Sequence, residues 1–189
     1  MKALSIKQPW ASLIAHGIKD IENRTWKTNL RGRIYIHASA KRAGNTSELL
    51  TDKQLSEFAF NTENYKVFES DLDYSAIIGE VDIVDCVINH SSIWAEKASF
   101  PSDSKPIYNW VLANAVLYEK PITNVKGKLS FWEPDIIIEE CIWCSGKFDY
   151  ETMVQDNSGE NYCPECWKEA LPIMKAEYDE MVRNGEIED

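Results

Sequence analysis

Four of the five cysteines stand as two pairs, CIWC at 141–144 and CPEC at 163–166, with eighteen residues between them. Nothing else narrows the fold of this chain as much. Each C-x2-C turn can aim two thiolates at one point, so two such turns supply the four ligands of a tetrahedral zinc ion. The segment that carries them, 141–183, is too short to bury a core of its own, so a metal has to supply the stability that packing cannot. Four protein ligands close the coordination shell, which makes a zinc ion there structural and not catalytic. Two disulfides are the competing arrangement for the same spacing, and the missing secretion signal argues against them.

Between the pairs, KFDYETMVQDNSGENY alternates in polarity and then breaks at DNSGE, as a β-hairpin does. After the second pair, WKEALPIMKAEYDEMVR keeps helical spacing in spite of Pro172. The order of pair, hairpin, pair and helix resembles a treble-clef zinc finger. That resemblance implies one structural Zn2+ held by Cys141, Cys144, Cys163 and Cys166. The last residues, NGEIED, read as an acidic tail over 184–189.

The remaining chain is long enough for a packed domain. Of 189 residues 44% are apolar and 11% aromatic, which excludes global disorder. Charge is divided unevenly: residues 1–44 hold nine Lys or Arg and two acids, a balance of +7, while the remainder stands at −18 and the whole at −11. Such a chain does not wrap nucleic acid indiscriminately. Its basic first stretch reads as a local anion site or, alternatively, as a salt-bridged surface. No window approaches the ~18 apolar residues of a membrane helix, and the N-terminus lacks the apolar run of a signal peptide. The expectation is a soluble, cytoplasmic protein with no membrane partner, in which Cys86 is a free buried thiol.

KALSIKQPW opens with a short alternating strand, and Pro9 suits the first turn of a helix. PWASLIAHG places Trp10, Leu13 and Ile14 on one helical face, and Gly17 supplies the stop. RGRIYIHAS reads as a strand with Ile34 and Ile36 on one face and Arg33, Tyr35 and His37 on the other. Residues 43–75 are polar and acidic, with weak helical spacing around Leu49, Leu50, Leu55 and Phe58, and read as an insertion of one or two short helices. AIIGEVDIVDCVI and YNWVLANAVLYEKPI are long strands, Gly79 marks a bulge or bend, and DIIIEE is a last strand. The predicted class is α+β: a strongly bent sheet or small barrel without parallel strands, closed by residue 140, with an N-terminal helix and peripheral helices.

Within that barrel one stretch concentrates charge. HGIKDIENRTW, residues 16–26, has the spacing G-x-K-x-x-E-x-R. Arg24 can grip a phosphate with two parallel hydrogen bonds, and Trp26 or Trp10 can stack a base. If Glu22 pairs with Arg24, Lys19 is left to meet a phosphate or a base oxygen. The alternative is a Glu–Arg–Lys network that only fixes the loop. Arg33 and His37, on the neighbouring strand, are candidates for the same rim.

The signature G-x-K-x-x-E-x-R, carried here by Gly17, Lys19, Glu22 and Arg24, resembles that of the ASCH family, small β-barrels related to the PUA fold. SIKQPWASLI, GRIYIHAS, YNWVL and GKLSFW extend the likeness over most of residues 1–138. The resemblance implies a cleft for RNA or a modified nucleobase, lined by Lys19, Glu22, Arg24, Trp26, Arg33 and His37. It also implies an alternative, hydrolysis of N4-acylated cytidine or, less closely, of RNA, with Lys19 and Glu22 catalytic. In the amidohydrolase members a Thr stands where this chain has Glu22, and a second carboxylate comes from a later strand, for which Glu80 is the candidate. The departure at Glu22 favours a binding module over an enzyme. The finger, outside the likeness, is a candidate surface for a protein partner.

Overall fold

A computed structural model describes residues 1–44, 46–59, 72–97 and 105–184. The chain divides into two compact units, Met1–Pro134 and Asp135–Asp189.

The first unit runs β1 (Ala3–Gln8), α1 (Trp10–Ala15), β2 (Ile21–Arg24), β3 (Gly32–Arg42), α2 (Thr46–Leu49), α3 (Asp52–Ala59), β4 (Ala76–Val87), β5 (Tyr108–Ile122) and β6 (Phe131–Trp132). Its six strands form one sheet in the order β2-β5-β4-β3-β1-β6, a curled half-barrel whose end strands β2 and β6 do not pair with each other. The expectation of a sheet without parallel strands fails at one place. β1 and β3 lie parallel, Ala3 opposite Tyr35 and Ser5 opposite His37. The physical reason is the connection: a parallel neighbour needs a crossover of a dozen or more residues, and α1 with β2 provides one.

The core follows from alternation. Ile34, Ile36 and Ala38 of β3 project to one face, where they meet Leu4 and Ile6 of β1, Ile78, Val81 and Ile83 of β4, and Trp110 and Leu112 of β5. α1 closes this face through Ala11, Ile14 and Ala15. Each Leu, Ile or Val sealed there contributes about 1.5–3 kcal/mol relative to exposure. The sheet bends where β4 crosses β5, with register shifts on both sides of Gly79. A Cβ at Gly79 would stand 2.3 Å from the Val116 carbonyl oxygen, so only glycine permits that approach.

The polar stretch after β3 contains the two short helices α2 and α3; residue 45 and residues 60–71 of it lie outside the described residues.

The second unit runs β7 (Ile138–Glu140), β8 (Lys147–Asp149), a single 3-10 turn (Tyr150–Thr152), β9 (Val154–Gln155), β10 (Asn161–Tyr162) and α4 (Pro164–Arg183). Ile138–Glu140, expected as the last strand of the first domain, pairs instead with Lys147–Asp149. The CIWC turn between them acts as the hairpin loop and draws both strands together. The expected hairpin between the cysteine pairs is therefore split: KFD pairs backward with β7, and only β9 and β10 pair across DNSGE. Asp156 organises that turn, its Oδ1 accepting from the Ser158 and Glu160 amides, both at 2.9 Å. α4 runs through Pro172 to Asn184, and the rest of the acidic tail lies outside the described residues. Among the described residues no helix is long and apolar enough to cross a membrane.

Candidate functional site: a buried Lys–Glu–Arg triad beside a tryptophan-lined cavity

The end of α1 delivers the first site residue. His16 caps the helix and Gly17 takes φ +72, the left-handed conformation glycine adopts freely. The Gly17 amide donates to the Ile14 carbonyl at 2.9 Å, and those of Ile18 and Lys19 to the Leu13 carbonyl at 2.9 and 3.0 Å. This double-bonded stop reverses the chain, and the residue that emerges inward is Lys19.

Lys19 is only 5% exposed, and Glu22 only 7%. The Lys19 ammonium donates to the Ile21 carbonyl and to Glu22 Oε2, the latter at 3.3 Å. On β2 side chains alternate, so Glu22 and Arg24 project to the same face. Arg24 Nε stands 2.9 Å from Glu22 Oε1, facing it as an ion pair without the alignment of a hydrogen bond. Arg24 also donates through Nη2 to the Ser5 carbonyl at 3.0 Å and lies 5.9 Å from the centre of the Trp110 ring. Lys19 lies over the Trp10 ring at 5.6 Å. Glu22 thus engages both cations at once. The expectation that a Glu22–Arg24 pair leaves Lys19 uncommitted is not met.

A cavity of about 250 Å³ opens beside this triad, lined by Trp10, Lys19, Glu22, Asn23, Leu49, Thr51, Gln54, Trp94 and Glu96. Its walls come from four places in the chain: α1, β2, the α2–α3 stretch and the loop after β4. Asn23 and Asn109 pin that loop. Asn23 donates to the Trp94 carbonyl at 2.9 Å and accepts from the Glu96 amide at 3.1 Å, while Asn109 donates to Asn23 Oδ1 at 2.9 Å. Gln54 ties α3 to the same loop, donating to the Ile93 carbonyl at 2.9 Å.

The other expected rim residues lie elsewhere. Trp26 packs edge-on to Trp110 at 4.5 Å and to Phe131 at 5.5 Å, in an aromatic cluster at the core margin. Arg33 donates through Nε to Glu80 at 2.9 Å and stands 3.5 Å from Asp82. Burial opposes the Arg33 charge, but these carboxylates hold its pKa above the ordinary guanidinium value. Glu80 also accepts from the Tyr118 hydroxyl, whose pKa rises through burial and that bond. Glu80 therefore belongs to a cluster with Arg33 and is not among the cavity-lining residues. His37 is buried under the chain segment that follows β5: its Nε2 bonds the Val125 carbonyl at 2.9 Å, and Trp132 meets its ring edge-on at 5.2 Å. Of the six expected ligand-binding residues, Lys19 and Glu22 line the cavity, Arg24 braces them, and Trp26, Arg33 and His37 do not take part.

Asn23, Thr51, Gln54, Trp94 and Glu96 were not among the expected site residues. Asn23 sits inside the charged signature and was within reach of inspection. The rest depend on a tertiary return of the chain that no local pattern announces.

In the second unit the sulfur atoms of Cys141, Cys144, Cys163 and Cys166 all lie within 4.8 Å of one another. A tetrahedral zinc site with bonds of about 2.3 Å spaces its sulfurs by roughly 3.8 Å, so the set fits such an ion. All five cysteines are free thiols, so the alternative of two disulfides is not what forms. Cys141 and Cys163 are fully buried. The Cys163 amide points to Cys141 Sγ at 3.3 Å and the Cys166 amide to Cys163 Sγ at 3.5 Å, as around a ligating thiolate. Burial opposes ionisation of Cys141, yet the backbone amides of Cys163, Cys144 and Trp143 bring its thiol down to about 7. Burial pushes the Cys144 and Cys166 thiols up. These four cysteines could hold a metal ion.

Comparison with known proteins accords with this geometry. The model of the ASCH domain matches residues 4–122, which contain all the cavity residues. Activating signal cointegrator 1 of Homo sapiens and its Mus musculus counterpart are each 30% identical over 142 residues, 72% of this chain. The match covers 23% of each relative, so the chain spans about a quarter of their length.

Proposed function

Because this chain belongs to the ASCH domain family, we propose that its first unit binds RNA through a nucleobase seated in the tryptophan-lined cavity. The observation that carries this reading is Lys19, buried against Glu22 at the wall of a cavity that also presents Trp10 and Trp94. Aromatic rings stack bases whatever their sequence, at about 1–3 kcal/mol per base. A cavity of about 250 Å³ suits a base and not a folded duplex. The Lys–Glu pair offsets part of the cost of burying each side chain and places polar groups at the wall of the cavity, where they support contact with a base.

Hydrolysis of an N4-acylated cytidine is the second reading. It requires Lys19 to present a lone pair to an acyl carbon. Lys19 instead donates to a carbonyl and a carboxylate, which suits an ammonium that orients a ligand. Binding is the function the geometry supports best. We further propose that the four cysteines hold one structural Zn2+, in a reducing, intracellular setting that keeps them from forming disulfides.

Fluorescence titration of the full chain with nucleosides and short single-stranded RNAs tests the first reading, since Trp10 and Trp94 report a stacked base. Trp94→Ala and Lys19→Ala are each expected to weaken binding about tenfold. Incubation with N4-acetylcytidine separates the two readings: cytidine release by the parent and none by Lys19→Ala would overturn binding in favour of hydrolysis. No titratable signal with any base or RNA would reject the binding reading, and no cytidine release would reject hydrolysis.

A further inference from the structure

The net charge of the protein resides in its second unit. Asp135–Asp189 holds fifteen Asp or Glu against four Lys or Arg, a net −11, so the first unit is neutral. The same unit exposes apolar side chains on its long helix. In α4 the buried residues are Cys166 and Ala170, both in the half that packs on the cysteine cluster. From Leu171 to Arg183 no residue is buried, yet Leu171, Tyr178 and Met181 are 47%, 46% and 42% exposed. With Met174 they follow i, i+3, i+7, i+10 spacing, which places all four on one narrow stripe. Glu177 lies on one margin and Lys175 and Asp179 on the other, while the exposed Ile173 falls outside the stripe.

An isolated helix of about 12–15 residues is marginal in water, and helices in proteins draw their stability from packing an amphipathic face. Half of α4 has such a face and nothing described against it. The sign of the surrounding charge decides what fits. RNA is a polyanion and is repelled by a unit at −11. A second copy brings another −11 to the same interface. A polypeptide segment that is apolar on one side and basic on its margins meets both demands, with its apolar residues on the stripe and its cations on Glu177 and Asp179. We propose that the stripe Leu171–Met174–Tyr178–Met181 of α4 docks a basic amphipathic segment of a protein partner, and that the second unit takes no part in binding nucleic acid. This is independent of what occupies the cavity of the first unit.

A synthetic peptide of roughly 20 residues, with Leu at helical i, i+3, i+4, i+7 spacing and Lys elsewhere, serves as the probe. Its labelled form is titrated with the full, metal-loaded chain by fluorescence anisotropy, beside the same peptide with Glu in place of Lys. Binding of the Lys peptide alone is expected. The double variant Leu171→Ser/Tyr178→Ser should weaken it about tenfold, and Glu177→Gln/Asp179→Asn should weaken it less and flatten its salt dependence. These positions are exposed, so zinc content and thermal melting serve as checks that the variants fold. Hydrogen exchange over 171–183 should slow when the peptide is added. Peptide binding unchanged by the Leu171/Tyr178 variant overturns the proposal. So does slowed exchange over 171–183 with single-stranded RNA, or a dimer in sedimentation that the same variant dissolves.

Discussion

In the first unit the residues sealed from water include Leu13, Ile14, Ile36, Ile77, Ile83 and Trp110; among the described residues of the second, Cys141, Cys163 and Ala170 are sealed to the same degree. One unit is closed by many weak contacts spread over α1 and three strands. The other is closed at a single point by four sulfur atoms. The difference follows from length: 134 residues can remove enough apolar surface to outweigh chain entropy, and 55 residues with short strands cannot. Polar chemistry is partitioned accordingly. The first unit can bury Lys19, Glu22 and Glu80, because its core holds their partners in place, whereas the second buries no charged group among its described residues.

The largest effect expected from this contrast is removal of the metal. Structural zinc supplies apparent binding energies of about 10–16 kcal/mol in small fingers, more than any core of this size contributes. Chelation, or Cys163→Ser, should therefore unfold the second unit completely and leave the first folded. Metal analysis should find one zinc per chain, and amide NMR should show only resonances of 135–189 collapsing. A chain that keeps all its dispersion without metal would break the comparison.

The reciprocal experiment is Trp110→Ala. Trp110 is fully buried, stacks on Phe131 at 5.2 Å and donates to the Trp26 carbonyl at 3.2 Å. Its truncation should cost about 3–5 kcal/mol, lower the melting temperature of the first unit and leave zinc content unchanged. Smaller again is Glu22→Ala. It strands the Lys19 ammonium in a site where it is 5% exposed, for a loss of about 3 kcal/mol, with base binding lost as well. Glu22→Gln keeps the shape and one acceptor, so it should recover most of the stability and little of the binding. Equal recovery of both would make the triad a structural brace and detach it from the cavity.

The same division sets how much could be read from the sequence. The clustering of the four cysteines was legible because they come in two tight local turns whose spacing brings the sulfurs together. So were the strands of the core, α1 and its stop at Gly17, and the Lys19–Glu22–Arg24 cluster, since each depends on residues within six positions. The parallel pairing of β1 with β3 was not legible, because it depends on where the crossover carries the chain. Nor were Gln54 and Trp94 as cavity walls, brought to Lys19 from 35 and 75 residues away. That Trp26, Arg33 and His37 lie outside the cavity lining was not legible for one reason: an aromatic or cationic residue near a site looks the same in sequence whether it faces a ligand or a buried partner. Arg33 pairs with Glu80, and Trp26 packs on Trp110 and Phe131.

His37 offers the finest test, because acid separates the two units by mechanism. Burial holds the His37 pKa below its ordinary value of 6.5, although the bond to the Val125 carbonyl works the other way. Nε2 donates to that carbonyl, while Nδ1 is buried without a partner, close against the backbone of Gly127. A proton added at Nδ1 would enter a buried position that has no hydrogen-bond partner in the folded chain. Well above pH 6.5 His37 is neutral in both the folded and unfolded chain and contributes no slope. As pH falls below 6.5 the unfolded chain takes up the proton first, so the first unit loses stability until the folded pKa is reached, where the loss levels off. His37→Gln can still donate to the Val125 carbonyl and has no proton to gain, so its stability should be flat over that window. Acid release of the zinc proposed for the second unit is followed separately with a metal indicator. Denaturant melts of the first unit from pH 7 to 5 should show the slope in the parent and not in His37→Gln. The same slope in both would assign the acid response to another group and leave His37 as packing alone.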